Sequence, residues 1–298
     1  YETLGMLGSN LDVKNPAAIV KANLLCDKYG MDTISIGGTI AFAMECFEKG
    51  FISKEDTDGV ELTFGNEEAV MTMIEMIGSR RGFGNVLAEG SLRSAEKIGH
   101  DSIGFAIQVK GLEIAAYDPR GVLGNALSYM IADSGGSHVR CWPLTAEYPK
   151  KSAVEIVPNV ISINDEVAAL QSMVLCLMTR FNAWDGNMLA KILSTVTGFP
   201  IDLEGLKKIG ERIYNMIRVF NYREAGEDRI QDTAIPKRWW EPVPTGPAKG
   251  CMAFFEVEDL ARTLDEYYRK RGWDSEGRPT REKLDELGLG EIAKDLER

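Results

Sequence analysis

Residues 15–50, "NPAAIVKANLLCDKYGMDTISIGGTIAFAMECFEKG", set the character of the chain. Asn15 stands where an N-cap belongs, and Pro16 occupies the first helical position, where its missing N–H costs nothing. Gly30 supplies a left-handed stop. A second helix is expected over "TIAFAMECFEKG", residues 39–50, closing at Gly50. The rhythm of polar cap, apolar run and terminal glycine continues through "NEEAVMTMIEMIGSRRG" (66–82), capped by Asn66 with Glu67 and Glu68 in its first turn, and "NVLAEGSLRSAEKIG" (85–99), ending at Gly99.

Further along, "VLGNALSYMIADSGG" (122–136) reads as helical. "NDEVAALQSMVLCLMTRF" (164–181) starts on Asn164 and becomes apolar on nearly all sides from Met173 to Met178, which predicts burial. A helix from about Asp202 carries the stripe Leu206, Ile209, Ile213, Ile217 and Phe220. "VEDLARTLDEYYRKRG" (257–272) and the shorter "TREKLDELG" follow. Alternating β patterns are nearly absent, with "FAIQVKG" (105–111) as the one short strand candidate. Two irregular segments, 141–162 and 232–255, contain prolines and aromatics, and Trp239 and Trp240 give the second enough surface to pack rather than to disorder. The expected architecture is mainly α, with two multi-helical domains divided as 1–108 and 109–298, the helix–glycine rhythm giving way at "KGLEIAAYDPRG".

Composition narrows the function classes. A formal charge of −11 over 298 residues disfavours nucleic acid and a basic membrane-docking face. No apolar run approaches the roughly 18–20 residues of a bilayer span. Five widely spaced cysteines (Cys26, Cys46, Cys141, Cys176, Cys251) do not make a full disulfide framework and fit a reducing cytoplasm. None forms a C-x-x-C pair, so no metal site is complete within the chain.

A few residues could carry chemistry, each beside a plainer reading. Asp27 and Asp32 flank a glycine stop and could jointly accept hydrogen bonds from a ligand rich in N–H groups, or be solvated helix ends. Cys176 is a metal or cluster ligand, or a small core hydrophobe. His138, after a glycine pair in "DSGGSHVRC", is one of two histidines and could be an ordinary loop imidazole; His100 is given no role. Glu2 alone reads as an exposed terminal acid.

Taken together, "DKYGMDTISIGG" (27–38), "AYDPRG" (116–121), "QSMVLC" (171–176) and the tail "EPVPTGPAKG…YYRKRGWDSEGRPTREKLDELGL" resemble the aldehyde ferredoxin oxidoreductase family along the whole chain. The resemblance implies the two helical rear domains of such an enzyme, preceded by a β-rich cofactor-binding domain and a C-x-x-C-x-x-x-C motif before Tyr1. It implies a tungsten, or molybdenum, ion held by two pterin dithiolenes through paired D-x-x-G-L-(D/C) segments. The first copy is Asp27, Gly30, Met31 and Asp32. The second is Gln171, Val174, Leu175 and Cys176, with Gln171 in place of the acid and Val174 in place of the glycine. By the same resemblance Cys176 is the fourth ligand of a 4Fe–4S cluster whose other three cysteines lie outside this chain, and Glu2 and His138 stand beside the metal as general base and hydrogen-bond donor. The implied activity is oxidation of a small aldehyde to a carboxylic acid, with electrons leaving through the cluster to ferredoxin; a homodimer is compatible with it. Reduction of aromatic acyl-CoA thioesters, a reaction of relatives, and a non-catalytic helical interaction protein remain the alternatives.

Overall fold

A computed structural model describes residues 1–140, 153–181, 185–226 and 228–297. Among these the regular structure is α- and 3₁₀-helical apart from one two-stranded hairpin. It divides into two compact units. Unit 1 comprises Tyr1–Asp118, Ser134–Ser137 and Ile235–Glu241; unit 2 comprises Pro119–Asp133, His138–Ala234 and Pro242–Arg298.

In unit 1 the helices are α1 (Glu2–Leu7), α2 (Pro16–Tyr29), α3 (Thr33–Glu48), α4 (Glu67–Gly78), α5 (Gly84–Leu87) and α6 (Gly90–Ile98), followed by the hairpin β1 (Gln108–Val109) and β2 (Leu112–Glu113). Asn15 caps α2 by accepting from the Ala17 amide, and Gly30 closes it at φ 68°. Asn66 caps α4 as its sequence predicts. The segment read as a single helix over 85–99 is instead two, because the chain turns at Ala88 and Glu89, and α6 opens on Gly90 at φ 84°.

The second helix also departs from expectation. It begins at Thr33 rather than at residue 39 and runs straight through Gly37 and Gly38, a pair that reads as a breaker. Packing supplies the reason. A Cβ at Gly37 would meet the Met6 carbonyl at 2.5 Å, and one at Gly38 would lie 2.9 Å from the Glu113 side chain. The glycines let α1 and β2 sit directly on the α3 backbone, and that burial outweighs the roughly 1 kcal/mol each costs in a helix. Leu7, Leu11, Ile40, Met44, Leu62 and Met73 form the fully buried centre.

In unit 2 the helices are α7 (Leu123–Met130), α8 (Val157–Ser172), α9 (Gly186–Thr197), α10 (Leu203–Ala225), α11 (Arg229–Thr233), α12 (Val257–Arg271) and α13 (Arg281–Glu286). The helix expected over 122–136 stops at Met130, short of the Gly135–Gly136 pair. α8 starts at Val157, with a proline in its first turn, so Asn164 is not its cap but a buried mid-helix residue donating to the Tyr214 hydroxyl at 2.5 Å. Residues 141–152, the first part of a segment read as irregular, lie outside the described residues, as does Cys141. α9, which the sequence reading passed over, carries an ordinary cap (Asp185 accepting from the Met188 amide, 2.9 Å) and a left-handed Gly198.

α8 and α10 cross closely because Gly210 leaves no room for a Cβ against the Asp165 backbone. The buried face of α10 is rotated from its apolar stripe: Tyr214, Asn215 and Arg218 are buried while Phe220 is 53% exposed. The polar residues face inward because partners await them. Arg218 forms a two-pronged pair with Asp232 (3.2 and 2.8 Å), Tyr268 donates to the same carboxylate, and the Trp273 indole donates to Asn215. A second buried pair joins Arg271 to Asp165 at 2.5 Å. Buried ions so satisfied cost little net stability and penalise alternative packings, since losing either partner strands a charge.

Candidate functional site

In unit 1 the Asp27–Asp32 segment is a rigid corner between two helices. Gly30 donates to the Asp27 carbonyl at 3.2 Å and Met31 to the Cys26 carbonyl at 2.9 Å, so the left-handed glycine ends α2. Met31 then packs on the core, and Asp32 starts α3 by accepting from the Ser35 amide at 2.8 Å. Both carboxylates are exposed. Asp32 also lines a cleft of about 370 Å³ with Tyr29, Met31, Ser35, Thr39 and Arg80.

Glu2 is not a loose terminal acid. It is half-buried in the first turn of α1, and its Oε2 accepts from the Ala116 amide at 2.8 Å. Gly5 sits tightly on Ala116, and Tyr1 stacks on Tyr117 with ring centroids 5.2 Å apart. Burial, the Glu2 carboxylate and Tyr1 push the Tyr117 hydroxyl up to about 12, so it stays a neutral phenol beside Glu2. On its other side α1 is tied to the Asp27 corner by a chain of side chains. Thr3 shares a hydrogen bond with Thr33 (3.0 Å) and donates to Asn23 (3.2 Å), whose amide donates to Asp27 (3.2 Å). The structure therefore brings Glu2, Ala116 and Asp27 into one hydrogen-bonded assembly. Thr3 and Asn23, which make the connection, carried no sequence signal.

Unit 2 holds a second corner of the same build. α8 does not run on to residue 181 but ends at Ser172. Val174 takes up φ 61°, the left-handed region, and donates to the Gln171 carbonyl at 3.0 Å, as Gly30 does to Asp27. Leu175 packs on the local core, as Met31 does in unit 1. The Cys176 carbonyl then accepts from Thr179 and opens a 3₁₀ turn, the place Asp32 holds at α3. The expectation of a buried Met173–Met178 stretch holds for only half of it: Met173, Leu175 and Leu177 pack on the local core, and the residues between them do not. Val174 is 92% and Met178 52% exposed, and the Cys176 thiol faces solvent, because the reversal at Val174 turns the chain off the helix axis. His138 is half-buried and begins the 3₁₀ turn His138–Arg140, and the Gln171 side chain donates to Val139 of that turn at 3.0 Å.

Two other thiols behave differently. Cys26 and Cys46 are fully buried, and burial pushes them up to about 11 and about 12. They are small core hydrophobes rather than ligands. Among the described residues no three or more His, Cys, Asp or Glu are grouped to hold an ion.

The family described as aldehyde ferredoxin oxidoreductase, domains 2 and 3, matches residues 1–289. The chain belongs to this family. It is 40% identical over 302 residues to the tungsten-containing aldehyde ferredoxin oxidoreductase of Pyrococcus furiosus, covering 98% of this chain and 48% of that protein. The enzyme of the same name from Thermococcus kodakarensis matches at the same identity and coverage. An aliphatic sulfonate oxidoreductase, WOR-like subunit, of P. furiosus is 32% identical over 309 residues, all of this chain and 47% of that one. The chain thus spans about half the length of the relatives it matches. The solved active-site complex of benzoyl-coenzyme A reductase with 1,5-dienoyl-CoA shares the fold at TM-score 0.75 and 21% identity, over 99% of this chain and 49% of that one. No helix among the described residues is long and apolar enough to cross a membrane.

Proposed function

We propose that this chain is the C-terminal part of an oxidoreductase that converts aldehydes to carboxylic acids at a tungsten, or molybdenum, bis-pterin centre and passes electrons through a 4Fe–4S cluster to ferredoxin. The observation that carries the reading is Glu2: a half-buried carboxylate, aimed by the Ala116 amide, on a helix fastened to the Asp27 corner.

The residues present fit the implied groups. Asp27 and Asp32 are exposed acceptors on a rigid corner, suited to the N–H edge of a pterin. Cys176 offers one exposed thiol to a cluster whose other ligands must come from outside the described residues. When bound, the metal–pterin supplies the two-electron redox chemistry.

The chain's own part is positioning and proton handling. Glu2 takes the proton of the attacking water, with one oxygen anchored by Ala116 so that the other keeps a constant orientation. Tyr117, neutral throughout, adds no competing charge beside it. His138 donates to the aldehyde oxygen as negative charge grows there. Asp27 and Asp32 would hold one pterin, and Gln171 and Leu175 would hold the other.

The test is Glu2→Gln in the full-length protein, assayed for aldehyde oxidation with an artificial acceptor beside tungsten and iron analysis. Loss of a general base lowers kcat by about 10²–10⁴-fold with metal content unchanged. Near-normal turnover would overturn the assignment.

A further inference from the structure

Gln171 presents a problem that its place in the second corner does not solve. At the equivalent place in the first corner stands Asp27, which can only accept hydrogen bonds. Gln171 instead donates: its Nε2 lies 3.0 Å from the Val139 carbonyl oxygen. A carbonyl offers no proton, so the amide end that faces it must be the NH2 group; an aspartate or glutamate here would set oxygen against oxygen. Val139 is the residue after His138, in the same three-residue 3₁₀ turn. The backbone of Gln171 is fixed independently, by its place in the last turn of α8 and by the Val174 amide donating to its carbonyl. A rigid helix end thus reaches out with one side chain and grips the turn that carries the imidazole.

We infer that Gln171 is a positioning residue for His138: the side-chain amide clamps the Val139 carbonyl and so sets the direction of the imidazole. The inference rests on the catalytic reading of His138 for its functional meaning, though not for its geometry. It assigns to the glutamine a task that an acid at this position could not perform, and so gives the departure from an acidic residue a physical reason. An exposed hydrogen bond does not decide whether unit 2 folds, but it does decide how tightly a short turn is held.

The experiment uses the full-length protein with Gln171→Met, which keeps length and loses the donor, and Gln171→Lys, which keeps an N–H donor and loses the amide oxygen. Three quantities are read: the rate at which diethyl pyrocarbonate acylates His138, by peptide mass spectrometry with His100 as internal reference; tungsten and pterin content; and kcat and KM for aldehyde. Gln171→Met is expected to change the His138 acylation rate several-fold relative to His100. It should also lower kcat about five-fold, one ordinary hydrogen bond's worth, with KM little changed. Gln171→Lys should restore both towards wild type. An unchanged His138 rate in Gln171→Met overturns the inference. So does equal loss of pterin in both variants with His138 labelling unaltered, which would make the amide oxygen, not the donor, the working group. The labelling readout does not depend on the reaction catalysed. A fully active Glu2→Gln enzyme would therefore sink the aldehyde mechanism while a shifted His138 rate still supported the clamp.

Discussion

Replacing Val174 with glycine should make the protein more stable, although it removes a large apolar side chain. Val174 sits at φ 61°, a region that costs an L-residue roughly 1–2 kcal/mol, with β-branched side chains at the upper end. The isopropyl group is 92% exposed, so its removal forfeits almost no buried surface and leaves no cavity. Glycine relieves the strain and gives back about 0.4–1 kcal/mol through the freedom it adds to the unfolded chain. The net expectation is a gain of about 1 kcal/mol, or about 2–4 °C in Tm for a unit of this size. The first corner provides the mirror experiment. Nothing lies within 4 Å of a Cβ built on Gly30, which sits at φ 68°, so Gly30→Val meets no steric obstacle and pays only the backbone term. It should lose about as much as Val174→Gly gains. Urea denaturation followed by far-UV circular dichroism reads both, provided the m-values match wild type. A Val174→Gly protein that unfolds at lower urea, while Gly30→Val behaves as expected, would refute the claim that the two corners share a backbone conformation.

Thiol chemistry separates the cysteines: at pH 8 an aromatic disulfide reagent should label Cys176 in the native protein and reach Cys26 and Cys46 only on unfolding, as peptide mapping would show. Because burial raises those two thiols from 9.0 to about 11 and about 12, the folded state binds more protons than the unfolded one above pH 9. Their contribution is fully present below pH 9 and is lost as pH climbs through 11–12, at up to about 1.4 kcal/mol per pH unit for each thiol; Cys46→Ala should flatten that alkaline slope in denaturation midpoints. Asp27→Asn in the full-length enzyme should weaken cofactor retention by about 1–3 kcal/mol, read as pterin and tungsten content after dialysis, and Asn23→Leu should do so by less because it only loosens Asp27. Gly210→Ala should destabilise by about 1–3 kcal/mol or more, since the α8–α10 crossing has no space for a methyl group, and an unaltered urea midpoint would contradict that crossing.

The helical architecture was legible because its signals are local. Asn15, Asn66 and Asp202 cap their helices, and Gly30, Gly99 and Gly272 end theirs, through hydrogen bonds that span a single turn. What local reading misjudged depends on residues far away in the chain. Gly37 and Gly38 look like a break until Met6 and Glu113 are placed on them. The apolar run after Ser172 looks like continued helix because valine gives no hint of a left-handed turn; only the resemblance to a glycine-bearing motif marked position 174. Buried Arg218 and Asn215 read as the solvent face of α10 because Asp232 and Trp273, which satisfy them, lie outside that helix, 14 and 58 residues on. Glu2 was legible through resemblance alone: its partner Ala116 is 114 residues away.

The interleaving of the two units sets a timetable for synthesis. Unit 1 takes its first segment from Tyr1–Asp118 but its last from Ile235–Glu241, where Arg238 grips the mostly buried Glu45 of α3 with two hydrogen bonds of 3.0 and 2.6 Å. At roughly 5–20 residues per second a ribosome needs about 6–24 s to travel from the end of the first segment to the end of the last. Throughout that interval the nascent unit carries Glu45 without its arginine. The vulnerable period is therefore built into the order of the chain, and slowing translation anywhere between Pro119 and Ala234 prolongs it, even though all of those residues except Ser134–Ser137 belong to unit 2.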